Sequence, residues 1–222
     1  QPPQWQSSNA QLQLHALANQ SGLLLVDRCL RHPAIPDKQG VGLARKIGAD
    51  ILCSLIASKR IISPWIFNTD ADAHLPAAYF GAVTDLPKHT AGAIYPFEHS
   101  FDNQQLDPLP TLLYEFSLHY YVAGLRWAGS PYAYHTLGST LAIHHAAYAK
   151  ARGFPKRAGA EDFYLLNKLA KIGTITTLEK AKIYLTARLS DRVPFGTGPG
   201  VRKIMAMSQP RSMPLYNPEI FR

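Results

Sequence analysis

The sequence predicts an α/β domain in which a central, mostly parallel sheet is flanked by helices. Two apolar runs that end near acidic residues, 23–27 (LLLVD) and 61–68, are typical of buried parallel strands. A helical pattern over 41–57 lies between them, and an amphipathic helix is predicted over 161–173. Strands and helices that alternate with short connections indicate an α/β fold. Without a repeat or an evident linker, we expect one domain over 1–222 and no second domain.

The other elements are predicted from local patterns in chain order. A helix at the start of the chain is expected because Asn9 or Ser8 can cap it and leucines follow. Segments rich in proline, glycine and asparagine are predicted as loops. The predicted helices are 9–19, 75–82 and one that begins at 111, the strands are 91–99 and 174–178, a strand passes into a helix over 140–149, and the loops are 100–110, 129–139 and 190–200.

Composition limits the class of protein. Apolar residues make up 46% of the chain and charged residues 17%, which indicates a globular protein. The net charge of +8 favours anionic partners without choosing among nucleic acid, nucleotides, phosphates and membrane surfaces. Cys29 and Cys53 have apolar neighbours and are expected to be two buried free thiols. Since no apolar stretch reaches the roughly 18–20 residues that span a bilayer, we expect no transmembrane segment.

Two aspartates follow the predicted strand 61–68 in the sequence WIFNTDADAHLP. Ligands bind at the carboxyl ends of strands in open α/β sheets, and Asp70 and Asp72 stand at such an end. Mg²⁺ and Mn²⁺ prefer carboxylate, water and phosphate oxygens, so this pair is a candidate cation site. The alternative is that Asp70 caps the following turn while Asp72 is solvated.

Two further motifs contain residues that could bind a ligand or take part in catalysis. KQGVGLARKIG, 38–48, places two glycines and basic residues at the start of a helix, which suits an anion, although an ordinary turn would have the same composition. Glu161 and Asp162 open a helix after a basic loop. They either complement the helix dipole or supply a general base.

The order of these three motifs resembles that of family 2 glycosyltransferases of the GT-A fold, from about residue 23 to 175. KQGxGxARxxG comes first, then an apolar strand ending in D-x-D, then GF followed by ED at the start of an apolar helix. The resemblance implies a nucleotide-diphosphate-sugar donor and a divalent cation, Mn²⁺ or Mg²⁺. It implies a saccharide, lipid or small-molecule acceptor, and we expect no nucleic-acid partner.

The resemblance also implies roles for individual residues. Asp70 and Asp72 would bind the metal and diphosphate, and Asp162, with Glu161 beside it, would be the base of an inverting transfer. Other residues implied on the donor side are Gly42, Arg45 and Gly138. Because an acceptor hydroxyl has a high pKa, a nearby carboxylate must receive its proton, and one base without a carboxylate nucleophile suits a single inverting displacement. Residues 100–137, rich in Tyr, Trp and His, are the expected acceptor side.

The sequence departs from the family pattern in two places. The family opens with two strands, the second of which holds the nucleotide base, and neither is found before residue 23, so we expect these strands to be missing. Asp27 is the early strand-end acid that could touch the nucleoside. Instead of a late histidine as third metal ligand, Asp191 could serve, with Arg188 or Arg192 meeting a phosphate. Asp191 could equally pair with an arginine in a loop.

Three functions therefore remain open. The first is a metal-dependent, inverting glycosyltransferase, expected in the cytoplasm or peripheral to the inner face of a membrane. The second is a nucleotidyltransferase on a similar sheet, which also places aspartates on a metal. The third is a non-catalytic module whose basic surface holds an anionic polymer or membrane.

Overall fold

The computed structural model describes residues 3–18, 21–29, 33–101, 107–189 and 196–222. These contain ten strands and five α-helices, numbered here in chain order. The strands are β1 Trp5–Gln6, β2 Leu12–Ala16, β3 Gly22–Val26, β4 Trp65–Asn68, β5 Ala73–His74, β6 Thr90–Ile94, β7 Phe97–Ser100, β8 Leu141–His144, β9 Thr174–Thr177 and β10 Ile183–Thr186. The helices are α1 Gly40–Ala57, α2 Pro108–Trp127, α3 His145–Lys150, α4 Glu161–Leu169 and α5 Thr197–Met205.

The central sheet has the strand order β4–β8–β6–β9 and is mixed. Strands β4 and β6 are each antiparallel to β8, and β9 is parallel to β6. The α/β class is confirmed, but the prediction of a mostly parallel sheet is wrong, because β8 runs against its two neighbours. The apolar pattern could not reveal this, since a strand covered on both faces reads as a continuous apolar run in either direction.

Separate apolar clusters cover the two faces of the central sheet. Leu141 and Ile143 of β8 belong to one cluster, which includes Leu165 of α4. Ala142, between them in the chain, belongs to the other, together with Tyr95. This alternation follows from the two-residue period of a strand. The polar residues that directly follow β4 are therefore held in place by a sheet that is buried on both sides.

Pro96 separates β6 from β7 and directs the chain into a second sheet. Proline has no N–H to donate to a sheet ladder, so the predicted strand 91–99 is divided in two. The second sheet has the order β5–β10–β7. Its register places Ala73 beside Leu185 and Leu185 beside His99. The segment that follows the aspartates therefore shares a sheet with the end of β7.

The first strands form an antiparallel sheet, β1–β2–β3, with no fully buried residue. The predictions of a helix over 9–19 and of a buried parallel strand over 23–27 are wrong. Leu12 and Leu14 alternate with polar residues, which is the two-residue period of a strand, and this period prevails over the helical spacing of later leucines. In β3, Leu23 is 50% exposed.

Smaller differences have local causes. The predicted helix over 75–82 is replaced by turns and a 3₁₀ turn at Gly81–Val83, since Pro76 and Gly81 disfavour a continuous helix. Both cysteines are free as expected, but Cys29 is exposed and Cys53 is partly buried, so the prediction of two buried thiols is wrong. The predictions of α1, β4, the β8–α3 junction, α4 and β9 are confirmed apart from their ends.

Gly42 brings α1 into contact with the segment that leads to α4. Its N–H donates to the carbonyl oxygen of Arg157 at 2.9 Å. A Cβ atom at Gly42 would lie 2.4 Å from the carbonyl oxygen of Pro155, which is closer than real Cβ atoms approach. Glycine is therefore required here for packing, and the close approach brings the helix starts of α1 and α4 together.

Replacing Gly42 with alanine should destabilise the protein by about 1–3 kcal/mol, because backbone must move to admit the methyl group. Gly48 is the matched control: it lies in the same helix, and its Cβ would meet nothing within 4 Å. Gly48→Ala should stabilise the protein by about 0.5–1 kcal/mol through helix propensity. Urea unfolding followed by circular dichroism measures both changes. Equal effects in the two variants would contradict the proposed role of Gly42.

Candidate active site

The site is built where β4 ends and the chain turns towards β5. Asn68, the last residue of β4, is buried, and Asp70 follows within two residues. Asp72 lies just before β5, and its carbonyl oxygen accepts a hydrogen bond from the Thr186 hydroxyl at 2.9 Å. The two aspartates are thus fixed between the two sheets, at a strand end as the sequence predicts.

Arg45 of α1 joins two of the three motifs through its guanidinium group. Its Nη2 donates to Asp70 Oδ1 at 2.8 Å, and its Nη1 donates to Glu161 Oε1. The side chains of Arg45 and Glu161 are 12% and 4% exposed, so this pair is largely shielded from water. The fork of a guanidinium suits two separate carboxylates in a way that a lysine does not. Glu161 is therefore held as a structural partner of Arg45.

Gly138 makes room for this guanidinium group. A Cβ atom at Gly138 would lie 1.4 Å from Arg45 Nη1, so a side chain at position 138 cannot coexist with Arg45 in its observed place. The sequence predicts Gly138 on the donor side, and the structure places it against Arg45 in the same cavity.

Asp162 stands at the first turn of α4, beside this ion-pair cluster. Ala160, which precedes the helix, has a left-handed backbone with φ of +58° that turns the chain into α4. Burial and the neighbouring Glu161 carboxylate raise the pKa of Asp162 to about 6, although N–H groups of Phe163 and Gly138 and the charge of Arg45 act in the opposite direction. A carboxylate whose pKa lies near neutrality is suited to accept a proton.

Asp72 pairs with Arg188 at the other side of the aspartate segment. Arg188 Nε lies 2.7 Å from Asp72 Oδ2, and both side chains are more than a third exposed. Such an exposed pair is weak and can open to admit a ligand. Arg188 is one of the two arginines expected from the sequence to meet a phosphate, and the structure places it next to Asp72.

The carboxylates of the cavity are candidate ligands for a divalent cation. Among the residues that the structure describes, no three His, Cys, Asp or Glu side chains form a metal-binding group. Mg²⁺, however, is commonly held by one or two carboxylates together with substrate phosphates. Asp70 and Asp72 supply two such carboxylates on one cavity. They fit a cation whose coordination is completed by a phosphorylated ligand.

These groups line a single open cavity of about 950 Å³, a volume within the range of small-molecule sites. It collects residues from all three sequence motifs, from the end of β10 and from the start of α5. The lining includes Asp37, Gly40, Arg45, Asp70, Asp72, His99, Tyr114, Leu118, His135, Gly138, Glu161, Asp162, Phe163, Arg188, Thr197 and Gly198.

The structure does not bring every predicted residue to this cavity. Gly42 lies behind it, packed on Pro155 and Arg157, and is not among the lining residues. Asp191 and Arg192 lie outside the described residues, so their predicted roles stay predictions. His99 was missed because it precedes the expected acceptor segment, 100–137; its place at the end of an apolar run was the signal that could have found it.

Comparison with known proteins adds little to this geometry. No family model and no curated protein matches the chain. The chain is similar to the crystal structure of S. aureus TarS residues 1–349 in complex with UDP-GlcNAc, with a TM-score of 0.38 and 13% identity. The alignment covers 62% of this chain and 38% of the TarS chain, so the chain spans well under half the length of that protein. A likeness of this extent carries no argument about function.

Within the described segments, no helix is both long enough and apolar enough to cross a bilayer.

Proposed function

We propose that the chain transfers a sugar from a nucleotide-diphosphate sugar to an acceptor hydroxyl with inversion at the anomeric carbon. The observation that carries this proposal is the meeting of a D-x-D pair with a partly buried carboxylate, Asp162, at one cavity. Asp70 and Asp72 stand on one side, and Asp162 stands on another, next to the Arg45 cluster.

The donor diphosphate lies against the aspartate side of the cavity. Arg188, whose pair with Asp72 is exposed, turns towards a phosphate oxygen when the donor enters. The first residues of α5, Thr197 and Gly198, also line the cavity, and the start of a helix favours negative charge. Asp70 and Asp72 would hold a divalent cation, which supplies Lewis acidity to the leaving diphosphate.

Asp162 supplies the proton chemistry. The acceptor oxygen forms a bond to the anomeric carbon while the bond from that carbon to the diphosphate oxygen breaks, and the nucleoside diphosphate leaves with the electron pair. The Asp162 carboxylate takes the proton of the acceptor hydroxyl. Glu161 is held by Arg45 and does not take this role. A single displacement of this kind inverts the configuration of the sugar.

Nucleotide binding gives a direct test. With Mn²⁺ present, UDP or GDP at about 100 times its dissociation constant should stabilise the folded protein by roughly 2.7 kcal/mol. The melting temperature should therefore rise by about 5–10 °C. Asp70→Asn should remove the metal-dependent part of this shift, because it removes a charged oxygen ligand.

Thermal melts with each nucleotide, with and without Mn²⁺, measure the effect, and the same melts without nucleotide are the control. If no nucleoside diphosphate raises the melting temperature with metal, the proposal fails. Hydrolysis of nucleoside triphosphates, without turnover of any nucleotide sugar, would favour the nucleotidyltransferase instead.

A further inference from the structure

Two members of a cluster of aromatic and histidine side chains form another part of the cavity wall. The ring of Phe97 contacts three imidazoles. His119 stacks on it, with the ring centroids 5.3 Å apart. His99 and His135 pack against it in T-shaped arrangements, with centroid distances of 5.8 and 5.2 Å. His99 and His135 line the cavity, together with Tyr114 and Leu118. His119 does not line the cavity, and its side chain is 48% exposed. We call Phe97, His99, His119 and His135 the histidine cluster.

Glu115 orients the ring of His99. One carboxylate oxygen, Oε2, lies 2.8 Å from the backbone nitrogen of His99 and 2.7 Å from its Nδ1. Because a carboxylate only accepts hydrogen bonds, Nδ1 carries the proton. In the neutral ring, Nε2 is then left as an acceptor. Glu115 thus fixes the tautomer of a histidine that lines the cavity.

His135 contributes an uncharged imidazole. Burial lowers the pKa of His135 to about 4, and the nearby His119 and Arg126 act in the same direction. Its ring is therefore neutral at physiological pH. Among the described residues of the cavity lining, the arginines are Arg45 and Arg188, both already paired with carboxylates, and there is no lysine. The described part of the wall formed by His99, Tyr114, Leu118 and His135 therefore has no arginine or lysine facing the cavity.

We propose that the two cavity-lining members of the histidine cluster, His99 and His135, form the acceptor subsite, and that it takes an uncharged saccharide. This inference rests on the proposed function, and it names the substrate class for the second half of the cavity. Sugar hydroxyls donate to His99 Nε2 and exchange hydrogen bonds with His135, while Tyr114 and Leu118 supply apolar surface for the ring. A phosphorylated acceptor would find no arginine or lysine among the described lining residues of this wall to pair with its phosphate.

The chain places this subsite close to the proposed base. Only two residues separate His135 from Gly138, so their Cα atoms are at most about 11 Å apart. The N–H of Gly138 hydrogen-bonds to the Asp162 carboxylate, where it lowers the pKa. A saccharide held at His135 can therefore present a hydroxyl to Asp162.

Saturation-transfer difference NMR in the presence of UDP and Mn²⁺ tests the subsite. The probes are the methyl glycosides of glucose, galactose, mannose and N-acetylglucosamine, each paired with its 6-phosphate. At least one uncharged glycoside should bind. The dissociation constant of its 6-phosphate should be at least about tenfold higher, a difference in binding free energy equal to that of one good hydrogen bond to a charged group.

His135→Phe keeps the ring against Phe97 but removes its nitrogens, and should weaken glycoside binding about tenfold. His119→Phe makes the same change in the same cluster outside the cavity, and should leave binding unchanged. Nucleotide affinity should be unchanged in both variants. The comparison of each glycoside with its 6-phosphate uses the wild-type chain and does not depend on the folding of either variant.

The outcomes separate the two proposals. Binding of none of the glycosides while the nucleotide still binds, or equal binding of the 6-phosphates, would overturn the saccharide subsite and leave the proposed function in place. Equal losses in His135→Phe and His119→Phe would overturn the assignment to the cavity wall. Glycoside binding without any nucleotide binding would contradict the proposed function instead.

Discussion

Asp162→Asn should lower kcat for sugar transfer by about 10²–10⁴-fold, the usual contribution of a general base. Asparagine has nearly the same size and can still accept the N–H groups of Gly138 and Phe163, but it cannot take up the proton of an acceptor hydroxyl. Nucleotide binding depends on other residues and should persist. Single-turnover transfer, with nucleotide affinity measured in parallel by calorimetry, separates the two effects.

The pH profile of the same reaction follows from the raised pKa of Asp162. The carboxyl is protonated below about pH 6 and cannot act as a base there. Below that pH, kcat should therefore decrease with a limiting slope of about tenfold for each pH unit. This acidic limb should disappear in the residual activity of Asp162→Asn. Asp85→Asn, an exposed aspartate outside the cavity, is the matched control and should retain the full profile. Equal loss of nucleotide binding and transfer in Asp162→Asn would show that its role is not proton transfer.

Arg45→Met should destabilise the protein by about 3–5 kcal/mol, because it leaves the Glu161 carboxylate buried without its partner. Methionine keeps much of the side-chain length, so the loss of charge dominates over the loss of packing. Urea unfolding measures the change. The double variant Arg45→Met with Glu161→Gln should recover most of the stability, since the unpaired charge is gone.

Arg222→Met provides the control for this pair. Arg222 bonds Glu219 at 2.8 Å, but both side chains are more than 60% exposed, so its loss should cost less than about 1 kcal/mol. If the two arginine variants lose equal stability, or if the double variant is no more stable than Arg45→Met, the buried pair is not the cause.

Local patterns predicted those parts of the fold in which neighbouring residues decide the structure. α1 and α4 have a helical apolar pattern, β4 is a short apolar run, and the structure contains all three. Strand direction and sheet membership depend on distant pairings, so the opposed direction of β8 and the move to a new sheet at Pro96 were not visible. The alternation of Leu12 and Leu14 was visible in the sequence and was outweighed by a competing spacing.

Some residues of the candidate site could also be expected from the sequence, and others could not. The resemblance in motif order implies one site for Arg45, Asp70 and Asp162, and all three residues line the same cavity. The histidine cluster was not predictable, since Phe97 and His135 are far apart in the chain and meet only through tertiary packing. Gly42 is implied on the donor side, whereas the structure packs it against Pro155 and Arg157, and the sequence alone does not distinguish a glycine needed for packing from one needed for a ligand.

The overlap at Gly138 has a consequence for how this sequence can diverge. A Cβ atom at position 138 would lie 1.4 Å from Nη1 of Arg45, so position 138 cannot take a side chain while the guanidinium keeps its observed place. Loss of the arginine would release the constraint on the glycine, whereas a side chain introduced first at position 138 would displace the guanidinium from Asp70 and Glu161. Although 93 positions apart in the chain, the two residues are therefore structurally coupled, and a homologue with a larger residue at 138 should not hold an arginine at 45 in this ion-paired position.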